Sequence, residues 1–402
     1  MSFGPAAYVG RELRSLARFS PLLDALPGPA YLVGGTVRDL LLYRPPRFDF
    51  DLAVVGDAEA FARELTERLG GRLTTHGRFG TATVTYDEGA HVDVAAARTE
   101  TYASPGALPD VAPAATIQED LSRRDFTINA MAIELPSARL IDPFEGVPHL
   151  GERLVRVLHE QSFVDDPTRI FRAARYETRL GFRMDPKTET LALLAVPEVR
   201  NLSGARVREE LFAIFEEEEP EPTLARLHAL GVDTALGVSF PERPSSVQDR
   251  LRGLNDLYGL GLPRWHLGLL SVRAPDGWLD EIKVTRRVAD SVQAAHREEP
   301  FLSASIAGRR HEPAQIVEAV ERSGPDTALY ALALGELPSL RQYFERLRSV
   351  ELELDGNDLA ALGLAESPRV GEVLAELRRR KLNGELAGRR EELAAARELI
   401  AE

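Results

Sequence analysis

Gly34-Gly35-Thr36-Val37-Arg38-Asp39, followed by Arg47-Phe48-Asp49-Phe50-Asp51-Leu52-Ala53-Val54-Val55, is the stretch that decides the fold. An apolar run from Ala30 to Val33 leads into the paired glycines, a helix opens at Thr36, and a second apolar run carries two carboxylates. On a strand, residues i and i+2 share a face, so Asp49 and Asp51 converge on one site while Phe50, Leu52 and Val54 bury the other side. Two anions held that close repel each other unless a cation lies between them. Magnesium, which takes carboxylate oxygens together with substrate phosphate oxygens, answers that need. The Gly34-Gly35 turn lets backbone amides approach phosphate, and Arg38 with the helix start adds positive potential. Taken singly, a tight turn or an exposed strand edge would account for each feature. Their co-occurrence in one strand-turn-helix-strand unit points to nucleotidyl transfer.

Working outward, a helix is expected from Ala58 to Leu69, then a hairpin made of Ala82 to Tyr86 and His91 to Ala95 around Asp87-Glu88-Gly89. Asp93, between Val92 and Val94, then faces away from them and can join the pair as a third carboxylate, a general base or further ligand. Residues 99 to 116, with Ser104-Pro105-Gly106-Ala107-Leu108-Pro109, have no usable period and read as a mobile loop. Beyond about residue 150 the apolar spacing becomes helical, with breaks near Glu219-Pro220, Pro241 to Ser246, and Gly324-Pro325. The expected class is α+β: a head with one small mixed sheet, then an all-α half.

The chain of 402 residues is 44% hydrophobic and 28% charged, which sets it among globular proteins of more than one structural unit. Without a cysteine it has no thiolate metal site, and with no long apolar run or leader it is expected in the cytoplasm, away from membranes. A net charge of −14 argues against nucleic acid in general, yet Arg378-Arg379-Arg380-Lys381 forms a local basic cluster.

At Arg123-Arg124-Asp125-Phe126-Thr127-Ile128-Asn129-Ala130-Met131-Ala132 the chain resembles the class II CCA-adding enzymes, the bacterial tRNA nucleotidyltransferase and poly(A) polymerase family of polymerase β-like nucleotidyltransferases. The resemblance implies a head (1–145), a base-reading neck (146–220), a helical body (221–330) and a tRNA-gripping tail (331–402). It implies metal-binding Asp49 and Asp51 and ribose contact by Arg124, Asp125 and Asn129, beside the phosphate contact already read at Gly34, Gly35 and Arg38. Asp165-Asp166-Pro167-Thr168-Arg169 resembles the family's base-reading helix, which usually begins Glu-Asp, so Asp165 is a departure. There Asp166 and Arg169 would select the base: an acceptor beside a donor suits C and A, whose edges pair an amino group with a ring nitrogen, and opposes G and U. Arg172 is the candidate for the triphosphate, whereas Arg175 and Arg179 read as solvated and Arg206 and Glu210 as structural. The resemblance makes Arg378, Arg379, Arg380 and Lys381 tRNA contacts, although such a cluster is more often an ordinary solvated helix face.

The expected reaction is CCA addition, the transfer of CMP and/or AMP from CTP or ATP to the tRNA 3′ end, with two magnesium ions and release of pyrophosphate. Residues 99 to 122 span the loop region without an obvious deletion, which disfavours a CC-only enzyme and leaves an A-adding specialist or a poly(A) polymerase open. An RNA-binding protein on a retired scaffold would have lost the carboxylates; this chain keeps both. No DNA partner is expected.

Overall fold

The computed structural model describes residues 13, 15, 19–44, 49–76, 80–87, 90–240, 246–308 and 310–401. The chain divides into two compact units, residues 1–210 with 226–236, and residues 211–225 with 237–402.

In the first unit, α1 (Ser20–Ala25) precedes β1 (Ala30–Val33), α2 (Gly35–Leu41), β2 (Asp49–Val54) and α3 (Ala58–Leu69). The start of α3 is set by Asp57, whose side chain accepts from Ala60 N at 2.9 Å, and its end by Gly70 at φ 65°. Ala58, Phe61, Ala62 and Leu65 form its buried stripe at helical spacing. Strands β3 (Arg72–His76), β4 (Thr81–Tyr86) and β5 (Ala90–Ala96) follow, and β8 (Ala132–Leu135) and β9 (Arg139–Ile141) complete a seven-stranded sheet of order β3-β4-β5-β2-β1-β8-β9. Only β2 and β5 pair in parallel; the other neighbours are antiparallel. The sheet is mixed, as expected, but larger than a small one, because β8 and β9 are very short and β3 is mostly polar.

Phe50, Leu52 and Val54 are buried while Asp51 is exposed, so the pleat of β2 sorts core from site. Residues 99 to 116 are not a structureless loop. Arg98–Thr101 (β6) and Asp110–Pro113 (β7) pair as an antiparallel ribbon, and only the connection between them keeps the Pro and Gly turn chemistry. Next come α4 (Ile117–Ser122), α5 (Gly146–Gly151), the short strands β10 (Leu154–Val155) and β11 (Arg183–Met184) flanking α6 (Ser162–Asp165) and α7 (Thr168–Leu180), and α8 (Pro186–Ala195). Phe126, fully buried, meets the Tyr176 ring edge-on at 5.7 Å and Phe163 at 6.4 Å, which fastens the Arg-Arg-Asp segment to α6 and α7.

Helices α9 (Gly204–Phe215) and α10 (Glu221–Leu230) lead to α11 (Val232–Leu236), and the expected break at Glu219-Pro220 falls between α9 and α10. The second unit is helical, running from α12 (Ser246–Leu257), α13 (Arg264–Ser271) and α14 (Trp278–Glu281) through α15 (Arg286–Ile306), α16 (Pro313–Ser323), α17 (Pro325–Leu334) and α18 (Pro338–Glu345) to α19 (Gly356–Ala361), α20 (Pro368–Leu382) and α21 (Arg389–Ala401). The Gly324-Pro325 break separates α16 from α17, whereas most of Pro241 to Ser246 lies outside the described residues. A Cβ at Gly268 would fall 2.2 Å from the Phe215 ring, so α13 needs glycine to pack there. Asp326 accepts from Ser291 Oγ at 2.6 Å and sits 2.8 Å from His266 Nε2, tying α13, α15 and α17 through one buried carboxylate.

Candidate active site

Asp51 and Asp93 are register partners on the parallel strands β2 and β5, so the two carboxylates stand side by side on one face of the sheet. Thr83, opposite Asp93 on β4, donates its hydroxyl to Asp93 Oδ1 at 2.5 Å, and His76 Nε2 lies 3.2 Å from the same hydroxyl oxygen. Asp49 opens β2 in register with His91; its side chain lies outside the described set. Among the described residues no three His, Asp or Glu side chains form a metal cluster.

Gly34, at φ 76°, turns the chain from β1 into α2. A Cβ at this position would lie 3.4 Å from an Arg124 terminal nitrogen and 3.8 Å from Asp51 Oδ2, so glycine keeps space open between a guanidinium and a carboxylate. Arg124 donates from Nη2 to Asp120 at 3.0 Å, while its buried Nε has no hydrogen-bond partner. A carboxylate and a guanidinium terminal nitrogen on either side of an open space fit a metal-bound polyphosphate.

Two clefts share Asp51, Arg123 and Arg124. One, of about 350 Å³, also takes in Gly34, Gly35, Asp125, Asn129, Asp166, Arg169 and Arg172; the other, of about 390 Å³, takes in His76, Thr83, Asp93 and Arg98. The first therefore gathers most of the expected nucleotide-binding residues. Arg38 is not on its wall: buried, it donates to Asp39 at 2.9 Å and to Asn129 Oδ1 at 2.7 Å, with its guanidinium carbon 5.2 Å from the Tyr176 ring centre.

Asp125 is nearly saturated. Oδ1 accepts from Phe126 N at 2.8 Å and Asn129 Nδ2 at 3.0 Å, and Oδ2 accepts from Arg172 Nε at 2.9 Å and Nη2 at 2.7 Å. Burial alone would raise its pKa, but the Arg172 charge and the Asn129 and Arg172 hydrogen bonds win and hold it below the ordinary carboxylate range. The same Asp125 charge drives the Arg172 pKa upward.

Asp166 Oδ1 accepts from Thr168 N at 3.1 Å, Thr168 Oγ1 at 2.6 Å and Arg206 Nη2 at 2.5 Å. Arg206 also donates to the Gly106 carbonyl at 3.0 Å, so one guanidinium links the β6–β7 connection to the expected base reader. Asp166 and Arg169 share a cleft, although Asp166 is extended and precedes α7, which opens only at Thr168. Sequence reasoning passed over Glu100 and Tyr102, which line that cleft too, and gave Glu210, on the same wall, only a structural part. The alternation of Arg98, Glu100 and Tyr102 was the available signal. Burial first, then the Glu100 charge, pushes the Tyr102 phenol up to about 12. Burial raises the Glu210 carboxyl; its Oε2 has no hydrogen-bond partner, and Arg175 Nη1 lies 3.8 Å from it. Arg175 is thus not solvated: only 12% of its side chain is exposed.

In the second unit Arg378 pairs with Glu321 at 2.6 Å, Arg379 and Arg380 with Glu376 at 2.7 and 2.9 Å, and Lys381 with Glu392 at 2.5 Å. Hydrogen bonds from Arg379 and Arg380 pull the Glu376 pKa down to about 2. The basic run is therefore internally balanced by acids.

Residues 30–156 match the poly A polymerase head domain and residues 181–240 a probable RNA and SrmB-binding site of polymerase A. An A-adding tRNA nucleotidyltransferase of Halalkalibacterium halodurans is 33% identical over 97% of this chain and 93% of its own length. The chain belongs to the class II CCA-adding/A-adding tRNA nucleotidyltransferase family. In the same family, an A-adding enzyme of Geobacter sulfurreducens is 35% identical over 93% of this chain, which spans only 45% of that relative's length. A CC-adding enzyme of Deinococcus radiodurans is 30% identical over 91% of this chain and 88% of its own. The Thermotoga maritima CCA-adding enzyme complexed with tRNA superposes with a TM-score of 0.76 at 29% identity, covering 98% of both chains. The polymerase β-like fold of the family is one that works with divalent metal. Among the described residues of this member no helix is long and apolar enough to cross a membrane.

Proposed function

We propose that this chain is an A-adding tRNA nucleotidyltransferase, transferring AMP from ATP to the 3′ hydroxyl of a tRNA that ends in CC and releasing pyrophosphate. The observation that carries nucleotidyl transfer is Asp51 in register with Asp93, with Asp51 also lining the neighbouring cleft whose wall presents Asp166 and Arg169. Choice of A over CC follows the A-adding relatives, which match nearly the whole of this chain at 33% and 35% identity. The division into head (1–145), neck (146–220), body (221–330) and tail (331–402), with tRNA on the tail, accompanies this reading, and a cysteine-free chain suits the reducing cytoplasm.

Asp49 and Asp51 would hold magnesium, which when bound activates the attacking hydroxyl and neutralises triphosphate charge. Gly34 leaves room for the phosphates beside Asp51, and Arg124 Nη1 together with Arg172 supplies donors for their oxygens. Asp93 accepts the proton of the terminal hydroxyl, with Thr83 holding its other oxygen in place. Asp166 accepts from the adenine amino group while Arg169 donates to the adjacent ring nitrogen. Guanine would set acceptor against acceptor and donor against donor.

The deciding experiment supplies tRNAs ending before the tail, after C and after CC, each with labelled ATP or CTP, and sequences the products. Extension of the CC-ended tRNA alone, by one A, is the expected result. Addition of C to a shorter tRNA overturns the A-adding assignment, and growth of a long A tract makes the chain a poly(A) polymerase.

A further inference from the structure

We infer that Ser162 is a specificity-determining positioning residue, fixing the plane of the Arg169 guanidinium that reads the incoming base. This rests on the base-reading role proposed above for Arg169, and carries it to a residue outside the cleft wall.

Arg169 lies in the first turn of α7, and its side chain runs back to Ser162, the residue that opens α6. Arg169 Nη1 donates to Ser162 Oγ at 2.6 Å, and Nη2 donates to the Arg123 carbonyl at 2.7 Å. Both side chains are out of solvent, Ser162 at 1% and Arg169 at 4% exposure. The two anchors come from different elements and hold different terminal nitrogens. With one anchor the planar fork could still pivot about the remaining bond; with two, its plane is set. Of the five guanidinium N–H groups these bonds take two, so others remain for a base edge.

The chemistry of the anchors matters as well as their number. Both acceptors are neutral oxygens, which orient the cation without cancelling its charge, so its remaining donors keep their full strength toward a ring nitrogen. Asp165, the acidic neighbour in sequence, supplies neither bond. A carboxylate there would have offered the guanidinium a competing partner. A buried hydroxyl does the orienting with no such competition.

The test compares wild type, Ser162→Ala and Arg169→Ala in the full chain, on CC-ended tRNA, measuring kcat/KM for ATP and for GTP alongside a thermal melt. Ser162→Ala should lower the ATP-to-GTP ratio by on the order of tenfold, the scale set by a hydrogen bond to a charged group. Loss of general stability would depress both nucleotides alike and leave the ratio where it was. A ratio unchanged in Ser162→Ala but collapsed in Arg169→Ala overturns the role of Ser162 and leaves the base reader intact. A ratio unchanged in both overturns the base-reading assignment of Arg169 itself, and the inference with it. Should Ser162→Ala fail to fold, Ser162→Cys keeps the volume, weakens the acceptor and reads the same ratio.

Discussion

Asp125 and Arg172 are joined by two hydrogen bonds onto a single oxygen, Arg172 Nε at 2.9 Å and Nη2 at 2.7 Å from Asp125 Oδ2. Removing the carboxylate strands a guanidinium that lies against Tyr176 and leaves Asn129 without its acceptor. Asp125→Ala should therefore cost about 2 kcal/mol of unfolding free energy. A fully buried pair would cost about 3 to 5 kcal/mol, and 35% exposure of the Arg172 side chain discounts that figure. Urea titration of the purified variant checks it, and an unchanged midpoint would contradict it.

The folded-state pKa values of Asp120 and Asp125 lie below their ordinary ones. For Asp120 burial works the other way, and the charges and hydrogen bonds of Arg123 and Arg124 overcome it. A depressed carboxylate contributes stability that is complete above the unfolded pKa of about 4 and is lost as pH falls through the folded value. Unfolding free energy measured from pH 6 downward should hold level and then drop below about pH 4, and Asp120→Asn should flatten that drop.

Asp51→Asn removes a negative charge without changing side-chain volume, at an exposed position. On the proposed role of Asp51 as a metal ligand, nucleotide incorporation should fall by at least about a thousandfold, the scale on which charge-stabilising groups act on phosphoryl transfer, with the melting temperature kept within a few degrees. Gly34→Ala should also be severely impaired, because its methyl group would stand 3.8 Å from Asp51 Oδ2 on a backbone at φ 76°. Single-turnover assays with CC-ended tRNA measure both.

Glu376 holds Arg379 and Arg380, at 2.7 and 2.9 Å, in the segment assigned to tRNA. Glu376→Gln should release both cations, raise tRNA affinity several-fold, and steepen the fall of affinity with salt by up to about two phosphate contacts. Filter binding at two salt concentrations decides. An unaltered affinity and slope would place the tRNA contact elsewhere.

Local signals in the sequence located much of this. Helix α3 begins and ends at the residues its cap and glycine specify, and the β4–β5 hairpin follows from two alternating runs. Asp93 could be placed beside Asp51 only by inference, since a parallel pairing between strands distant in sequence leaves no local mark. The β6–β7 ribbon escaped notice because Ser104 to Pro109 speaks for a turn and masks the short strands on either side. Arg175 reads as solvated because nothing nearby in sequence shows Glu210 beside it. Saturation of Asp125 was also hidden, since its partners include Arg172 from another helix.

The pairing of β2 with β5 has a consequence for biogenesis. The carboxylates Asp51 and Asp93 meet only after a loop of about forty residues has closed, and such non-local closures come at an entropic cost that slows folding. A nascent chain that has already formed the glycine turn and β2 still lacks Asp93 beside Asp51. On the proposed mechanism, docking of β5 is therefore one necessary step toward competence for phosphoryl transfer, which also awaits Arg124, Asp166 and Arg169 from later in the chain.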